Sequence, residues 1–423
     1  MQVLNAADIA LARFVRPGDG IVWGHACGEP ATLIEALIEQ RASLGGVSAF
    51  AASSFSNTLT ANMTDRIAMS SMGAIGSLRT LAGEGVLGII PCHVGQVGGM
   101  IAGGIIPCDV AFVQVSPADA DGNHSFGLIN DFVQAAIAKA RVVVAEVNDQ
   151  VPFTFCDRLL PRGRIDYLVE VSRPPVEIVP AKVGETDLAI ARHAADYIDD
   201  GAVLQVGIGA VPDAILQLIE DRRDLGIHTG MVGDGLVALM EAGVVNNARK
   251  TTYRGVSVTG ALIGSRRLYD FAHRNPALAL FSSAFTHADA VLTDIAGLVT
   301  INSAVEIDLT GQVNAEQTGT TYVGGTGGQV DYVRGGSRSP RGRSLIVLPA
   351  TARGGKASRI VASLTGPVTT ARSEVDVIVT EYGAAELKGQ SLAERARRLV
   401  AIAHPDFRED LARASHEIAR RGF

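Results

Sequence analysis

The sequence predicts an α/β fold built from two related, open, mostly parallel sheets with helices packed on them. Two observations carry this prediction. Continuous runs of Val and Ile, such as Val110 to Val115 and Val142 to Val147, are separated by stretches of helical period, and strands apolar on both faces are those of buried parallel sheets. In addition, a unit of strand, glycine turn and helix occurs twice. Ile21-Val22-Trp23 breaks at Gly24-His25-Ala26-Cys27-Gly28-Glu29-Pro30, after which Leu33, Ile34, Leu37 and Ile38 recur at helical spacing. Val203 to Val206 breaks at Gly207-Ile208-Gly209-Ala210-Val211-Pro212, followed by Ile215, Leu216 and Ile219. Gly20 aligns with Gly201, and Pro30 with Pro212 after one inserted residue. This is either an internal duplication or the repetition of a turn common in α/β proteins.

Taken in order, residues 6–15 read as a short helix closed by Pro17-Gly18-Asp19-Gly20, and Leu87 to Ile90 as a further strand. Residues 172–183 hold three prolines and no helical period, so the boundary is placed near 185, giving α/β domains over 1–185 and 186–423. Ala290-Val291-Leu292, Val299-Thr300-Ile301, Leu345 to Leu348 and Val375 to Val379 supply strands to the second half, and the stretch from Glu409 to Arg421 a charged amphipathic helix. Residues 335–343 read as a basic, glycine-rich loop that either meets an acidic cofactor or is a solvated surface.

At 423 residues, with 47% hydrophobic, 19% charged and 5% aromatic residues, the chain is too long for one ordinary core and too apolar for disorder. A net charge of -7 lacks the basic footprint of a nucleic-acid binder, so small molecules are the expected partners. The N-terminus has no basic and apolar leader pattern, and no apolar stretch reaches about 18 residues, so a cytoplasmic location without a membrane span is expected. Cys27, Cys92, Cys108 and Cys156 show no C-x-x-C spacing, and no H-x-x-x-H pattern occurs, so no metal site is expected and the thiols should be reduced and mostly buried.

Three glycine clusters remain. Leu225-Gly226-Ile227-His228-Thr229-Gly230-Met231-Val232-Gly233-Asp234-Gly235 is a tight turn or a site where backbone N–H groups approach a ligand. Gly207 and Gly209 resemble half of a dinucleotide fingerprint, but the third glycine and an acidic ribose partner are missing, which disfavours a nicotinamide site. Gly324, Gly325, Gly327 and Gly328, followed by Gln329, either let backbone approach a bulky ligand or form a mobile hairpin. No Ser/His/Asp order and no G-x-S-x-G elbow is evident. Among nine histidines, His25 and His228 lie in glycine-rich turns after strands, whereas His193 and His416 fall on helices. Glu306 lies in an alternating apolar and acidic segment that a half-exposed strand would also show.

Several of these stretches together resemble the acetyl-CoA hydrolase/transferase family. They are Gly24 to Pro30, Val147-Asn148-Asp149-Gln150, Gln205 to Asp213, Asn302 to Val313, Gly327 to Tyr332, Val379-Thr380-Glu381-Tyr382-Gly383 and Ile402-Ala403-His404-Pro405-Asp406. The branch they resemble is that of the 4-hydroxybutyrate and butyrate:acetate CoA-transferases. The resemblance implies duplicated open sheets with the active site in the cleft between them, and a homodimer or higher homo-oligomer. It implies CoA transfer between carboxylates through an acyl-glutamyl anhydride and a glutamyl-CoA thioester, with Gly207 and Gly209 holding the oxyanion and the Gly324 to Gln329 loop lying against CoA.

One position departs from the pattern. Close relatives read I-H-[ST]-E-M-[IV]-[SG]-D-G, and the nucleophilic glutamate stands where this chain has Gly230. Glycine has no carboxylate, so neither covalent intermediate can form there. The expectation is an acyl-CoA-processing enzyme, with coenzyme A as part of its substrate, that passes the acyl group directly to water or another acceptor. His228, Asp234, His25 and Glu306 are the candidate bases. The alternatives are a CoA-transferase using a displaced carboxylate such as Glu306, and a catalytically silent CoA-binding subunit.

Overall fold

A computed structural model describes residues 1–421 of the chain. It divides into two compact units. Unit 1 comprises Met1–Val179 with Gly230–Asp234 and Val258–Ala288; unit 2 comprises Pro180–Thr229, Gly235–Ser257 and the chain from Asp289 on. Residues 172–184 carry no helix or strand.

The main sheet of unit 1 contains β1 (Gln2–Leu4), β2 (Gly20–Trp23), β3 (Val47–Phe50), β4 (Ile67–Ser71), β5 (Gly88–Ile89), β6 (Val110–Val115), β7 (Val142–Asn148) and β8 (Tyr167–Val171). All pairs are parallel, in the order β1-β8-β7-β6-β2-β3-β4-β5. Successive side chains of β2 enter opposite cores. Ile21 and Trp23 pack with Leu33, Ile34 and Leu37 of helix Ala31–Gln40, while Val22 packs with Val97 and Ile101 of helix Val94–Ala102 and with Phe132. Burial on both faces explains why these strands read as unbroken apolar runs rather than as alternation.

Unit 2 contains β9 (Val203–Val206), β10 (Gly226–Ile227), β11 (Leu298–Ser303), β12 (Arg343–Val347), β13 (Val377–Thr380) and β14 (Gly383–Glu386), in the order β10-β9-β11-β12-β13-β14. Only the last pair is antiparallel. Ile346 and Ile378 pack with Val333 of helix Gln329–Arg338 and with Ala396 and Leu399 of helix Leu392–Ala401. The winding repeats that of unit 1. In each sheet the strand of the recurring sequence unit, β2 or β9, lies between the strand that follows it and one that arrives later from the other side, β6 or β11. These are the topological switch points, where open parallel sheets leave a crevice at the carboxyl ends of their strands.

Three local expectations are corrected. Ala290-Val291-Leu292 lies in helix Asp289–Asp294, where Val291 and Leu292 pack under Tyr332; three apolar residues alone do not distinguish strand from helix. Residues 6–15 form two short 3₁₀ turns, Ala6–Asp8 and Leu11–Arg13, and not one helix. The basic segment 335–343 is not a loop at its start, because helix Gln329–Arg338 runs through Gly335 and Gly336. There a side chain would collide, since a Cβ on Gly335 would lie 2.6 Å from Leu292 and one on Gly336 2.8 Å from the Thr300 hydroxyl. Helix and sheet packing, not turn chemistry, requires those glycines.

Candidate active site

At the switch point of unit 1, the turn after β2 meets the loop after β6. Gly28 is required by that approach, because a Cβ there would run into Ile129. His25 Nδ1 lies 2.9 Å from the Ser53 hydroxyl, three residues beyond β3, and His25 Nε2 lies 3.0 Å from Asp131 Oδ2. The imidazole stacks on Phe132, with centroids 5.0 Å apart and planes 7° apart. Asp131 is held at φ +27° between two backbone bonds: Asn130 N–H donates to Gly260 O at 3.0 Å and Ser283 N–H to Asp131 O at 3.0 Å. Burial alone would raise the Asp131 carboxyl, but the bond and charge of His25 prevail and hold it below the usual carboxylate range. Nearby His287 is pushed down to about 4 by burial, against the pull of Asp131, and is therefore neutral.

Two further carboxylates brace the same turn. Glu29, buried and raised by desolvation, accepts from Phe55 N–H at 3.1 Å. Glu146, at the end of β7, accepts from Leu33 N–H at 3.1 Å in the first turn of helix Ala31–Gln40, and burial pushes its carboxyl up to about 7. Cys27 is buried, with its thiol raised to about 11 by desolvation, which makes it a packing residue and not a nucleophile.

The chain passes from unit 2 into unit 1 between Thr229 and Gly230. Gly230 O accepts from Gly260 N–H at 3.2 Å, and Gly260 O accepts in turn from Asn130 N–H. A Cβ on Gly260 would lie 2.9 Å from the Gly230 oxygen, so glycine is needed for this approach. Two backbone hydrogen bonds therefore link Gly230 to the residue preceding Asp131. Asp234 is hydrogen-bonded at the start of its helix. Its carboxylate receives Ser265 N–H at 2.8 Å and Ser265 Oγ at 2.5 Å, tying the start of helix Asp234–Glu241 to the loop after Ala261–Leu262.

In unit 2, His228 follows β10, is 1% exposed and donates its backbone N–H to Leu204 O at 3.1 Å. The strand before it rests on Asn247, whose Oδ1 accepts from Ile227 N–H at 2.8 Å, and on Lys250. Lys250 Nζ donates to Ile227 O at 2.8 Å and to Val256 O at 2.7 Å, and burial pushes the amine down to about 7.

The switch point of unit 2 brings Gly207 and Gly209, after β9, beside the end of β11. Among the described residues, none beyond the immediate chain neighbours comes within 4 Å of a Cβ built on either glycine, and Gly209 adopts φ +129° as the cap of helix Ala210–Leu218. Gln205 and Asn302 exchange amide hydrogen bonds of 3.0 and 3.5 Å beneath the turn. Glu306 is half-buried in a short hairpin, where its Oε1 accepts from Asn314 Nδ2 at 3.0 Å. Gly324 packs on the Ala315 carbonyl, Gly327 takes φ +56°, and the loop that also holds Gly325 runs through Gly328 into helix Gln329–Arg338. Gln329 fixes it by donating to Ser303 O at 2.8 Å and accepting from Thr370 Oγ1 at 3.3 Å.

The sequence pointed to His25, Gly230, Gly207, Gly209, Glu306 and the loop to Gln329, but not to Ser53, Asp131, Glu29 or Lys250. The Ser/His/Asp set is spread over 106 positions and three loops, so no local pattern announces it. Among the described residues no group of three or more His, Cys, Asp and Glu could hold a metal, and no helix is long and apolar enough to cross a membrane.

Residues 4–180 match the acetyl-CoA hydrolase/transferase N-terminal domain, and residues 264–415 match its C-terminal domain. The chain is 40% identical over 395 residues to the 4-hydroxybutyrate coenzyme A transferase of Clostridium kluyveri, covering 92% of each. Among solved structures it is similar to RipA from Yersinia pestis, at 32% identity and TM-score 0.92, covering 99% of this chain and 98% of that one. It is also similar to a 4-hydroxybutyrate CoA-transferase from Porphyromonas gingivalis, at 36% identity and TM-score 0.84 with the same coverage. The chain belongs to the acetyl-CoA hydrolase/transferase family and is an enzyme of acyl-CoA transfer or hydrolysis.

Proposed function

We propose that this enzyme moves the acyl group of an acyl-CoA to water or another acceptor without a glutamyl intermediate. The observation that carries the proposal is Gly230, which by the motif resemblance stands where the family has its nucleophilic glutamate. Similarity to proteins named acetyl-CoA hydrolase, for example 26% identity over 367 residues in Neurospora crassa, supports water as an acceptor within this family. The base is His25, whose ring is oriented by Asp131. Asp234 is occupied by Ser265 and serves the fold instead. By the resemblance, the Gly207 to Gly209 turn is assigned to the oxyanion and the Gly324 to Gln329 loop to CoA. The enzyme works in the cytoplasm as a homodimer or higher homo-oligomer; light scattering after size exclusion reads the assembly.

The test is release of free CoA, followed with a thiol reagent, from a panel of acyl-CoAs with and without added carboxylates. Release without a carboxylate is the expected result. Release that requires a carboxylate would instead favour a second reading, CoA transfer through Glu306. That reading is supported by the 40% identity to a named CoA transferase and by Glu306 itself, a carboxylate left half-buried in its hairpin. Borohydride trapping followed by peptide mass analysis would then mark Glu306. Tight CoA binding with no turnover on any substrate would leave a silent CoA-binding subunit.

A further inference from the structure

We propose that Ser53 is the nucleophile that receives the acyl group, activated by His25 and Asp131, so that a seryl ester replaces the glutamyl intermediate of the family. The proposal rests on the acyl-CoA chemistry above and names the first acceptor. Three loops supply the three residues: His25 follows the carboxyl end of β2, Ser53 that of β3, and Asp131 lies in the long connection after β6, just before helix Val133–Lys139. Ser53 Oγ stands 2.9 Å from His25 Nδ1, and His25 Nε2 stands 3.0 Å from Asp131 Oδ2.

The direction of the relay follows from what each group can do. An ionised carboxylate only accepts, so the His25 proton resides on Nε2, facing Asp131. Nδ1 then carries a lone pair, and the group opposite it is the Ser53 hydroxyl, which can donate. Charge state and tautomer thus turn a chain of contacts into an ordered Asp–His–Ser relay. Stacking on Phe132 keeps the ring from swinging away. Ser53 is 4%, His25 8% and Asp131 7% exposed, so these bonds act in a medium of low dielectric, where they are strongest.

Three features separate the set from an ordinary buried histidine. Asp131 is a non-glycine residue at φ +27°, a costly conformation held in place by two backbone bonds, one from the preceding Asn130 N–H to Gly260 O and one from Ser283 N–H to the Asp131 carbonyl. The same Gly260 hydrogen-bonds Gly230, which ties the relay to the glycine on which the proposed function rests. The turn at Ala26, φ +55°, adds a second strained residue directly after the histidine.

In the first step Ser53 Oγ attacks the thioester carbonyl carbon as Nδ1 takes the hydroxyl proton. The adduct collapses with cleavage of the C–S bond, and the CoA sulfur leaves with the proton from the imidazolium. In the second step water attacks the ester carbon and gives a proton to Nδ1. The ester C–O bond breaks, and Ser53 recovers its proton from the imidazolium. The net reaction is acyl-CoA and water to free acid and CoA, with no other reactant.

The test combines trapping with substitution. The full-length protein is mixed with short-chain acyl-CoAs, quenched in acid, and divided between neutral hydroxylamine and buffer before peptide mass analysis. An oxygen ester survives neutral hydroxylamine, whereas an anhydride or thioester on glutamate does not. The expected result is a hydroxylamine-resistant acyl mass on Ser53. Ser53→Ala should lose both the mark and at least about 100-fold in CoA release, while Ser53→Cys retains a burst of CoA and an acyl mass that hydroxylamine removes. Wild-type CoA release with Ser53 unmarked would overturn the proposal and leave the acyl-CoA reading intact. Absence of release and of any mark across the panel would overturn both. The trapping arm uses the unaltered protein, so it decides the matter even if Ser53→Ala misfolds.

Discussion

At residue 230 the proposed chemistry turns on one position, where the resemblance would put a glutamate and this chain has glycine. The proposed surroundings are the glycine turn at Gly207 and Gly209, which caps helix Ala210–Leu218, and the loop anchored by Gln329. Supplying the missing group is therefore informative. Gly230→Glu is expected to introduce carboxylate-dependent CoA exchange, measured as transfer of labelled acetate into acetyl-CoA, and to lower hydrolysis by offering a competing nucleophile. If the variant folds, binds CoA as the parent does and exchanges nothing, the position alone does not specify the family chemistry here. At the same scale His25→Gln keeps a polar side chain and removes the base. It is expected to lower kcat by about 10²–10⁴ with little change in KM. A loss confined to KM would assign His25 to binding.

The elements that carry these residues rest on buried polar anchors, and Lys250 under β10 is the one most open to test. Its amine neutralises no carboxylate; two carbonyls receive it, and burial pushes it down to about 7 from an ordinary value near 10.4. Between those two pH values the unfolded chain holds a proton that the folded chain does not. Stability from this group therefore rises with pH across that window and is flat below about 7. The difference amounts to at most about 5 kcal/mol. Lys250→Met should remove this slope while adding a pH-independent loss of about 1–3 kcal/mol for the two carbonyls left unmet. Urea unfolding of both proteins at pH 7, 8.5 and 10 would read it, and two parallel pH profiles would rule the assignment out. Such anchors were invisible in the sequence, because Lys250 sits in a polar stretch, Asn246-Asn247-Ala248-Arg249-Lys250, that reads as surface. Burial of that lysine is decided by Gly226, where a Cβ would lie 2.8 Å from the Lys250 Cγ. Helix Gln329–Arg338 was hidden for the converse reason: glycines that looked like a loop are there for close packing on Leu292 and Thr300.

At the scale of the whole molecule, what the sequence disclosed was the winding. The matched units at Gly20 and Gly201 land on equivalent central strands, each beside a switch point, because parallel strands buried on both faces leave a strong apolar signature and their carboxyl-end turns must be glycine-rich. The relay at Ser53, His25 and Asp131 was not legible, since it exists only once β2, β3 and β6 are laid side by side. Separate cores in the two units allow the site assignments to be tested globally. Trp23 is the single tryptophan, is 1% exposed and lies in a core of unit 1, so its emission reports that unit, whereas circular dichroism reports both. The proposed CoA contacts, the Gly207 turn and the Gly324 to Gln329 loop, belong to unit 2. CoA at 100 times its Kd stabilises the unit that binds it by about 2.7 kcal/mol. The expected outcome is that CoA displaces the dichroism-monitored transition to higher denaturant and displaces the Trp23 transition less, so that two curves recorded on one sample separate. Equal displacement of both would refute the assignment of the CoA contacts to unit 2 alone. Hydrogen exchange would then show which of the two glycine segments, if either, gains protection.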